Sequence, residues 1–310
     1  MACAVCRGIF FLSATNFLTI MPFEIRDIKS SDEEAVRKVS ESNWDRDYVP
    51  DRFLSYQDNP LWHMFGMFED GELLGFAAIQ EVDGADFGWA KALRVRSDRH
   101  REGIGLRLTE HCVKLAKEQG LKSLRYATSS RNEASIGVAE QAGFDLIEEA
   151  GYFRLEDPYP QQPNPSPSIT PIMAAPERVA EALQQNADLV PTNNMPVAWE
   201  FERKNIDGIK RIGKEANFNI ITNENGLPIS LYYFSDSTRN NQTTRAHTLY
   251  CTDRSIFVDV MARLVDDLKS CEVDRAAFFL GPRATEWSDS LLAVPEKYQG
   301  RRFLLYERSF

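Results

Sequence analysis

Apolar runs long enough to cross a bilayer are missing near the start of this 310-residue chain, where Ile9-Phe10-Phe11-Leu12 is broken by Ser13, Thr15 and Asn16. Arg7 precedes that run as in a signal peptide, but no Ala-x-Ala-like cleavage site follows cleanly. Residues 1–20 therefore read as a poorly ordered extension, or as the product of an upstream start codon that is not used, and Met21 opens the domain-like sequence. Cysteine is sparse: five, an odd number scattered at Cys3, Cys6, Cys112, Cys251 and Cys271, so no disulfide framework is expected. Cys3 and Cys6 form a lone Cys-x-x-Cys with neither a second ligand pair nor a redox helix, so no metal site is expected. The default setting is a reducing, cytoplasmic one. Positive charge is also short, with 36 Lys and Arg against 46 Asp and Glu and a net charge of -10. That balance, without a basic helix, argues against a nucleic-acid partner and leaves room for a cationic amine as substrate.

What is present centres on Leu93 to Leu108. An alternating apolar strand ends near Val95, a charged loop runs through Glu102, and Gly103-Ile104-Gly105 opens a segment of helical periodicity. Without Cβ atoms, Gly103 and Gly105 allow a tight turn and close approach of a ligand to several N–H groups. The first amides of a helix lack internal partners and carry partial positive charge, which suits phosphate. Arg99, His100 and Arg101 add charged donors at the same place. The guest this loop suits is a pyrophosphate-bearing cofactor. No Lys-Ser or Lys-Thr pair follows the second glycine and no third Gly or Ala closes the motif, which excludes a Walker loop and a three-glycine dinucleotide fingerprint.

A second block follows one helix and one strand later, running from Asn132 to Phe144. Together the two blocks resemble the GNAT superfamily of acetyl-CoA-dependent N-acyltransferases, over roughly Phe23 to Glu156. Gly103 and Gly105 match the family's loop glycines, Val95 stands where its valine ends the strand beside the pantetheine arm, and Asn132, Gly143 and Phe144 match the later motif. His100 occupies the family's Arg/Gln position, and Ala139 stands where its frequent helix tyrosine would be. The resemblance implies acetyl-CoA as cosubstrate, held by Leu93, Val95, His100, Arg101, Gly103, Ile104, Gly105, Leu106 and Asn132. It implies an α/β (α+β) GNAT fold, a mixed and mostly antiparallel central sheet flanked by helices.

Along the chain, a strand at Phe23 to Ile28 and a helix through about Ser40 precede an aromatic segment, Asn43 to Asn59, that is a candidate acceptor wall or simply packs a helix on the sheet. Hairpin strands flank Asp70-Gly71, a third strand feeds the glycine loop, and Phe144 to Glu156 is expected to supply a last strand pair. Seven of the 15 prolines fall between Pro158 and Pro176, which marks a linker. Beyond it, a helix near 177–185, another near 206–216, a hairpin at Asn225-Gly226, an amphipathic helix from Ile256 to Leu268 and late strands repeat the first half's order. The expected domains are 1–20 (extension), 21–157 (GNAT acetyltransferase), 158–176 (linker) and 177–310 (a degenerate GNAT-like copy). Thr252-Asp253-Arg254-Ser255 replaces the glycine loop in that copy.

The resemblance implies direct attack of an amine on the acetyl thioester, with a carboxylate taking the proton and a backbone N–H near Leu93 to Val95 holding the oxyanion. The strand Phe87 to Val95 contains no Asp or Glu, so the candidate bases lie just upstream at Glu81, Asp83 and Asp86, and Tyr152 is the candidate acid. The acceptor is a small-molecule amine or a protein amino group, without nucleic acid or membrane, in a monomer with pseudo-dimeric halves or a homodimer. The competing reading is a non-catalytic acyl-CoA-binding sensor or scaffold.

Overall fold

The computed structural model describes residues 23–43, 47–162, 170–239, 242–271, 273–289 and 294–310. The expectations for residues 1–20, Cys3, Cys6, Trp44 and the middle of the Pro-rich stretch lie outside the described residues.

Two runs of elements repeat one order. The first is β1 (Glu24–Asp27), α1 (Glu33–Glu41), α2 (Val49–Gln57), β2 (Trp62–Glu69), β3 (Glu72–Glu81), β4 (Phe87–Val95), α3 (Ile104–Glu118), β5 (Ser123–Ser129), α4 (Glu133–Gln141) and β6 (Asp145–Glu156). The second is β7 (Ile172–Ala174) and α5 (Pro176–Gln185), then a hairpin of β8 (Asn194–Val197) and β9 (Glu200–Arg203). It continues with α6 (Ile206–Glu215), β10 (Asn217–Thr222), β11 (Pro228–Arg239), β12 (Gln242–Cys251), α7 (Arg254–Ser270), β13 (Arg275–Leu280), α8 (Pro282–Ser288) and β14 (Arg302–Ser309). Among the described strands and α-helices, only the β8–β9 hairpin has no counterpart in the first run.

All strands except that hairpin join one 12-stranded sheet in the order β1-β2-β3-β4-β5-β14-β6-β13-β12-β11-β10-β7. The order corrects one expectation. Residues 144–156 make one long strand, not a pair, and the missing strand beside β5 is β14, from the end of the chain, which pairs with β5 from Phe303↔Ser129 to Ser309↔Ser123. In return β6 pairs with β13, from Arg275↔Glu156 to Leu280↔Gly151. Each half lends its last strand to the other, about an approximate two-fold axis between β14 and β6.

Local chemistry explains the elements that frame the site. Asp70 (φ 52) and Gly71 (φ 82) adopt the left-handed pair that closes the β2–β3 hairpin. Gly120 (φ 77) stops α3 and Gly143 (φ 75) stops α4. Helix α3 buries Ile104, Leu108 and Cys112 against Ile79, Ala90 and Leu124 on one face of the sheet. On the opposite face α1 and α2 bury Val36, Val39, Val49 and Phe53 against Phe76, Ala78 and Ala92. Most aromatics of Asn43 to Asn59 that are described, Phe53 and Tyr56 among them, belong to this packing.

Candidate functional site

The first half contains a fork. Strands β4 and β5 run parallel and pair only from Phe87↔Ser123 to Trp89↔Arg125. From Ala90 onward β4 stays with β3 and β5 stays with β14, so the facing edges of β4 and β5 part. A bulge accompanies the parting: Ala92 takes a positive φ of 55, and the β3–β4 register shifts between Phe76 and Ala78, which face Arg94 and Lys91. A bulge places an extra residue in one strand and leaves it outside the ladder, re-aiming its backbone. In the second half the equivalent strands β12 and β13 pair without interruption from Thr244↔Arg275 to Leu249↔Leu280. That half has no fork.

At the open end, Val95 leads through a short turn at Ser97–Arg99 to Arg101 (φ 69) and Gly103 (φ 78), the N-cap of α3. Among the described residues, the amides of residues 100–106 meet no acceptor within the protein. They form a continuous row of donors ending on a helix N-terminus, the arrangement that binds phosphate. A Cβ on Gly105 would lie 3.6 Å from Val138, 3.7 Å from Val95 and 3.9 Å from Leu93, so Gly105, Leu93 and Val95 converge at the fork's mouth. The second half differs here as well: the Asp253 carboxylate caps α7 by accepting from the Ser255 and Ile256 amides, and the Ser255 hydroxyl together with those amides holds its pKa below the usual carboxylate range. A fixed anion already occupies that helix end.

The side chains around the loop divide their work. Arg99 is committed to Glu69 (2.8 Å) and Glu102 (2.9 Å), and it shapes the loop rather than greeting a ligand. His100 Nε2 lies 3.0 Å from the Val95 carbonyl and 3.1 Å from Asn43 Oδ1, tying the loop to the end of β4. Arg101 is exposed and makes no ion pair among the described residues. Ile104 is buried under the loop and Leu106 is half-buried on α3. Asn132 uses Oδ1 as the N-cap of α4, accepting from the Ser135 amide at 3.2 Å. Arg94, beside the bulge, forms a two-point pair with Asp47 (2.7 and 2.9 Å). Burial alone would raise the Asp47 pKa, but the Arg94 guanidinium holds it below the ordinary value.

Asp83, Asp86 and Tyr152 are not brought to the open part of this fork, and Glu81 stands across from Gly88 at its closed base. Glu81 lies with His63 (2.7 Å) on the α3 side of the sheet, since His63 faces Ile79 of that core and Glu81 follows Ile79 by two residues. Asp86 precedes β4, roughly 30 Å along the strand from Val95 at about 3.3 Å per residue, and pairs with Arg203 (2.7 Å) and Lys122 (3.8 Å). Asp83 stands in the exposed stretch between β3 and β4. Tyr152 is on β6, three strands from β4, packed among Phe279, Tyr298 and Phe303 with its hydroxyl bonded by Arg154.

The structure places other groups near the fork. Tyr126 is the first residue of β5 beyond the last pair with β4, and its hydroxyl is 2.6 Å from Ser135 Oγ on α4. Burial raises its pKa. Lys91, one residue before the bulged Ala92, meets Glu200 Oε1 from β9. No spacing in the sequence links residues 91 and 200; only the crossing of the hairpin onto the first half joins them.

Residues 24–144 match the model of the acetyltransferase (GNAT) family. A curated L-methionine sulfoximine/L-methionine sulfone acetyltransferase of Pseudomonas aeruginosa is 32% identical over 79 residues, 24% of this chain and 46% of that protein. The chain thus spans about half the length of the curated relatives it matches. Among solved structures, one from Thermoplasma acidophilum, assigned to the acetyltransferases, aligns with TM-score 0.56 at 12% identity, covering 93% of this chain and 100% of that one. A tandem GNAT protein from the clavulanic acid biosynthesis pathway aligns with TM-score 0.57 at 14% identity, covering 93% and 98%. At these identities the structural likeness is one of fold.

Proposed function

Residues 24–144 belong to the GNAT acetyltransferase family, and from that premise we propose that the chain is an N-acetyltransferase that moves an acetyl group from acetyl-CoA to the amine of a small molecule. The observation that carries this reading is the fork between β4 and β5, opening onto a row of unpartnered amides at residues 100–106, in one half only. Those residues fit the cosubstrate: the amides and Arg101 would hold its pyrophosphate, and the edge of β4 that β5 leaves beyond Trp89 would hold the amides of its pantetheine arm. When bound it supplies an acetyl thioester, an activated acyl group.

The chain's own residues then do three things. The backbone freed by the bulge at Ala92 and Leu93 offers an N–H to the oxyanion, preorganised because β3 fixes the strand on either side. Tyr126, kept protonated at neutral pH by burial, holds a proton where the sulfur would leave, in place of the tyrosine absent at Ala139. Helix α3 buries Ile104 and Leu108 so that the loop is held before a ligand arrives. We assign 21–157 to the catalytic half, 158–176 to the connection and 177–310 to a half that has closed its own fork and supports the first. A small-molecule acceptor is supported by the curated relatives, whose names specify L-methionine sulfoximine and L-methionine sulfone.

Calorimetric titration of the full chain with acetyl-CoA tests the reading, alongside the double variant Gly103→Asp/Gly105→Asp and a panel of amines. Binding that the variant abolishes, followed by turnover with an amine, is the expected result. Binding without turnover on any amine supports a sensor instead, and a folded chain that ignores millimolar acetyl-CoA overturns both.

A further inference from the structure

Among the described strands and α-helices, the β8–β9 hairpin is what the first half lacks, and it brings Glu200 to the fork. Its anchor is Arg125 of β5, 2% exposed, which donates to the Phe201 carbonyl (3.0 Å), Asn194 Oδ1 (2.9 Å) and Glu307 (2.7 Å). Phe201 stacks on Phe303 with centroids 5.2 Å apart, and Tyr233 and Thr248 both donate to the Pro196 carbonyl (2.6 and 2.8 Å). The hairpin is therefore held rigidly without help from its edge.

That leaves the Lys91–Glu200 pair unexplained by anchoring. Its side chains remain 21% and 35% exposed, and an ion pair so open to water stabilises a fold by about 0–1 kcal/mol. Its position is telling. Lys91 lies on the same face as Trp89, next to the bulge, and its ammonium is 5.7 Å from the ring of Trp62, which stacks on Tyr56 at 3.9 Å. A carboxylate, an ammonium and a flat aromatic wall thus adjoin the point where the strands part.

We propose that Lys91 and Glu200 form the acceptor subsite, shared between the two halves, and that the acceptor is a small zwitterion of the α-amino acid class. This rests on the transferase reading above and adds the substrate class to it. The acceptor's carboxylate takes Lys91, its ammonium takes Glu200, and its side chain lies along Trp62, so that one internal ion pair is exchanged for two with the ligand. Glu200 accepts a proton from the ammonium and releases it to solvent. The nitrogen lone pair forms the new C–N bond, and the C–S bond breaks with its electron pair going to sulfur. Sulfur takes the Tyr126 proton, and the nitrogen's second proton restores Tyr126 through water.

Two measurements test the subsite. Tryptophan fluorescence and calorimetry of the free protein follow binding of each common L-amino acid and of its decarboxylated amine; initial rates with acetyl-CoA follow turnover of the same set. We expect some zwitterions to bind and react about tenfold or more better than their matching amines. Lys91→Gln should raise KM for those zwitterions by about ten- to a hundredfold, the scale of one charged hydrogen bond, and change KM for the decarboxylated amines by much less, since they lack the carboxylate that Lys91 would hold. Glu200→Gln should lower kcat for zwitterions and decarboxylated amines alike, because both lose the carboxylate that takes the amine's proton. The exchanged variant Lys91→Glu/Glu200→Lys rebuilds the contact between halves, so it should keep the wild-type Tm while staying as impaired as the single variants. Recovery of activity in the exchanged variant, or equal losses for zwitterions and amines in Lys91→Gln, would make the pair structural and overturn the proposal. A wild type that binds acetyl-CoA but prefers decarboxylated amines also overturns it and leaves the fork reading standing. Failure to bind acetyl-CoA strikes the fork reading itself.

Discussion

At the scale of single residues, the two loop glycines have different reasons to be glycine. Gly103 sits at φ 78, where a Cβ is strained whatever the space around it, while Gly105 has only ordinary contacts at 3.6 Å and beyond. Gly103→Ala should therefore lower stability by about 1–2 kcal/mol. Gly105→Ala should leave denaturant midpoints unchanged or slightly raised, yet weaken acetyl-CoA binding because the methyl enters the fork's mouth. Urea unfolding set beside calorimetry separates the two effects. His247 offers a second residue-scale prediction. It is 1% exposed, stacked on Phe278 at 4.9 Å, and neither ring nitrogen finds a partner, so burial pushes its pKa down to about 3. The unfolded chain binds a proton near pH 6.5 and the folded one does not. The contribution is thus complete above about pH 6.5 and is lost as pH falls toward 3, at up to about 1.4 kcal/mol per pH unit. His247→Phe should flatten the loss of stability between pH 7 and 5 relative to wild type. The depressed carboxylates Asp47 and Asp253 enter only below their ordinary pKa, near 3.8.

At the scale of elements, the glycine loop and its helix were legible because everything they need is local: φ freedom at one residue, a run of amides, and a 3.6-residue period. The bulge in β4 was not, because Ala92 and Leu93 look like any alternating strand and only the competition between β3 and β5 for the same edge displaces them. The hairpin β8–β9 was equally hidden. Its four-residue strands are too short to show a pattern, and its role depends on Arg125, which in sequence is merely a charged residue inside a strand. Arg125→Met keeps the volume but strands Asn194, Glu307 and the Phe201 carbonyl in the core. Removing one partner of a buried charge network typically costs about 3–5 kcal/mol. The variant should lose that much in chemical denaturation and, by freeing the hairpin, raise KM for the acceptor more than for acetyl-CoA.

At the scale of the whole molecule, the exchange of β6 and β14 makes the two halves interdependent. A fragment ending after Glu156 would leave β5 without the strand it pairs with over Ser123–Ser129, and β6 without either neighbour. Unpaired edges of that length invite aggregation. We expect residues 21–157 expressed alone to be insoluble or molten, and a fusion that appends residues 302–310 to recover a cooperative thermal transition. If the short fragment alone unfolds cooperatively with a wild-type near-ultraviolet spectrum, the exchange is not needed for the first half's fold. Removal of only residues 302–310 from the full chain should damage acetyl-CoA binding although those residues lie far from the glycine loop in sequence, because β14 is what holds β5 away from β4.

The sequence by itself determined where a phosphate-sized loop lies, that Gly103 turns it, that α3 follows, and that a second run of the same elements carries Asp253 where an anion site would need none. These follow from bonds and periodicities within a few residues of one another. Tertiary structure alone decided that the strands fork in one half and close in the other, that each half completes its sheet with the other's last strand, and that Glu200 stands beside Lys91. Those outcomes depend on which of several apolar strands wins a given edge. That choice is set by the summed burial of the whole sheet rather than by any local pattern, which is why a carboxylate from the other half stands beside Lys91 with no signal in the sequence near β4.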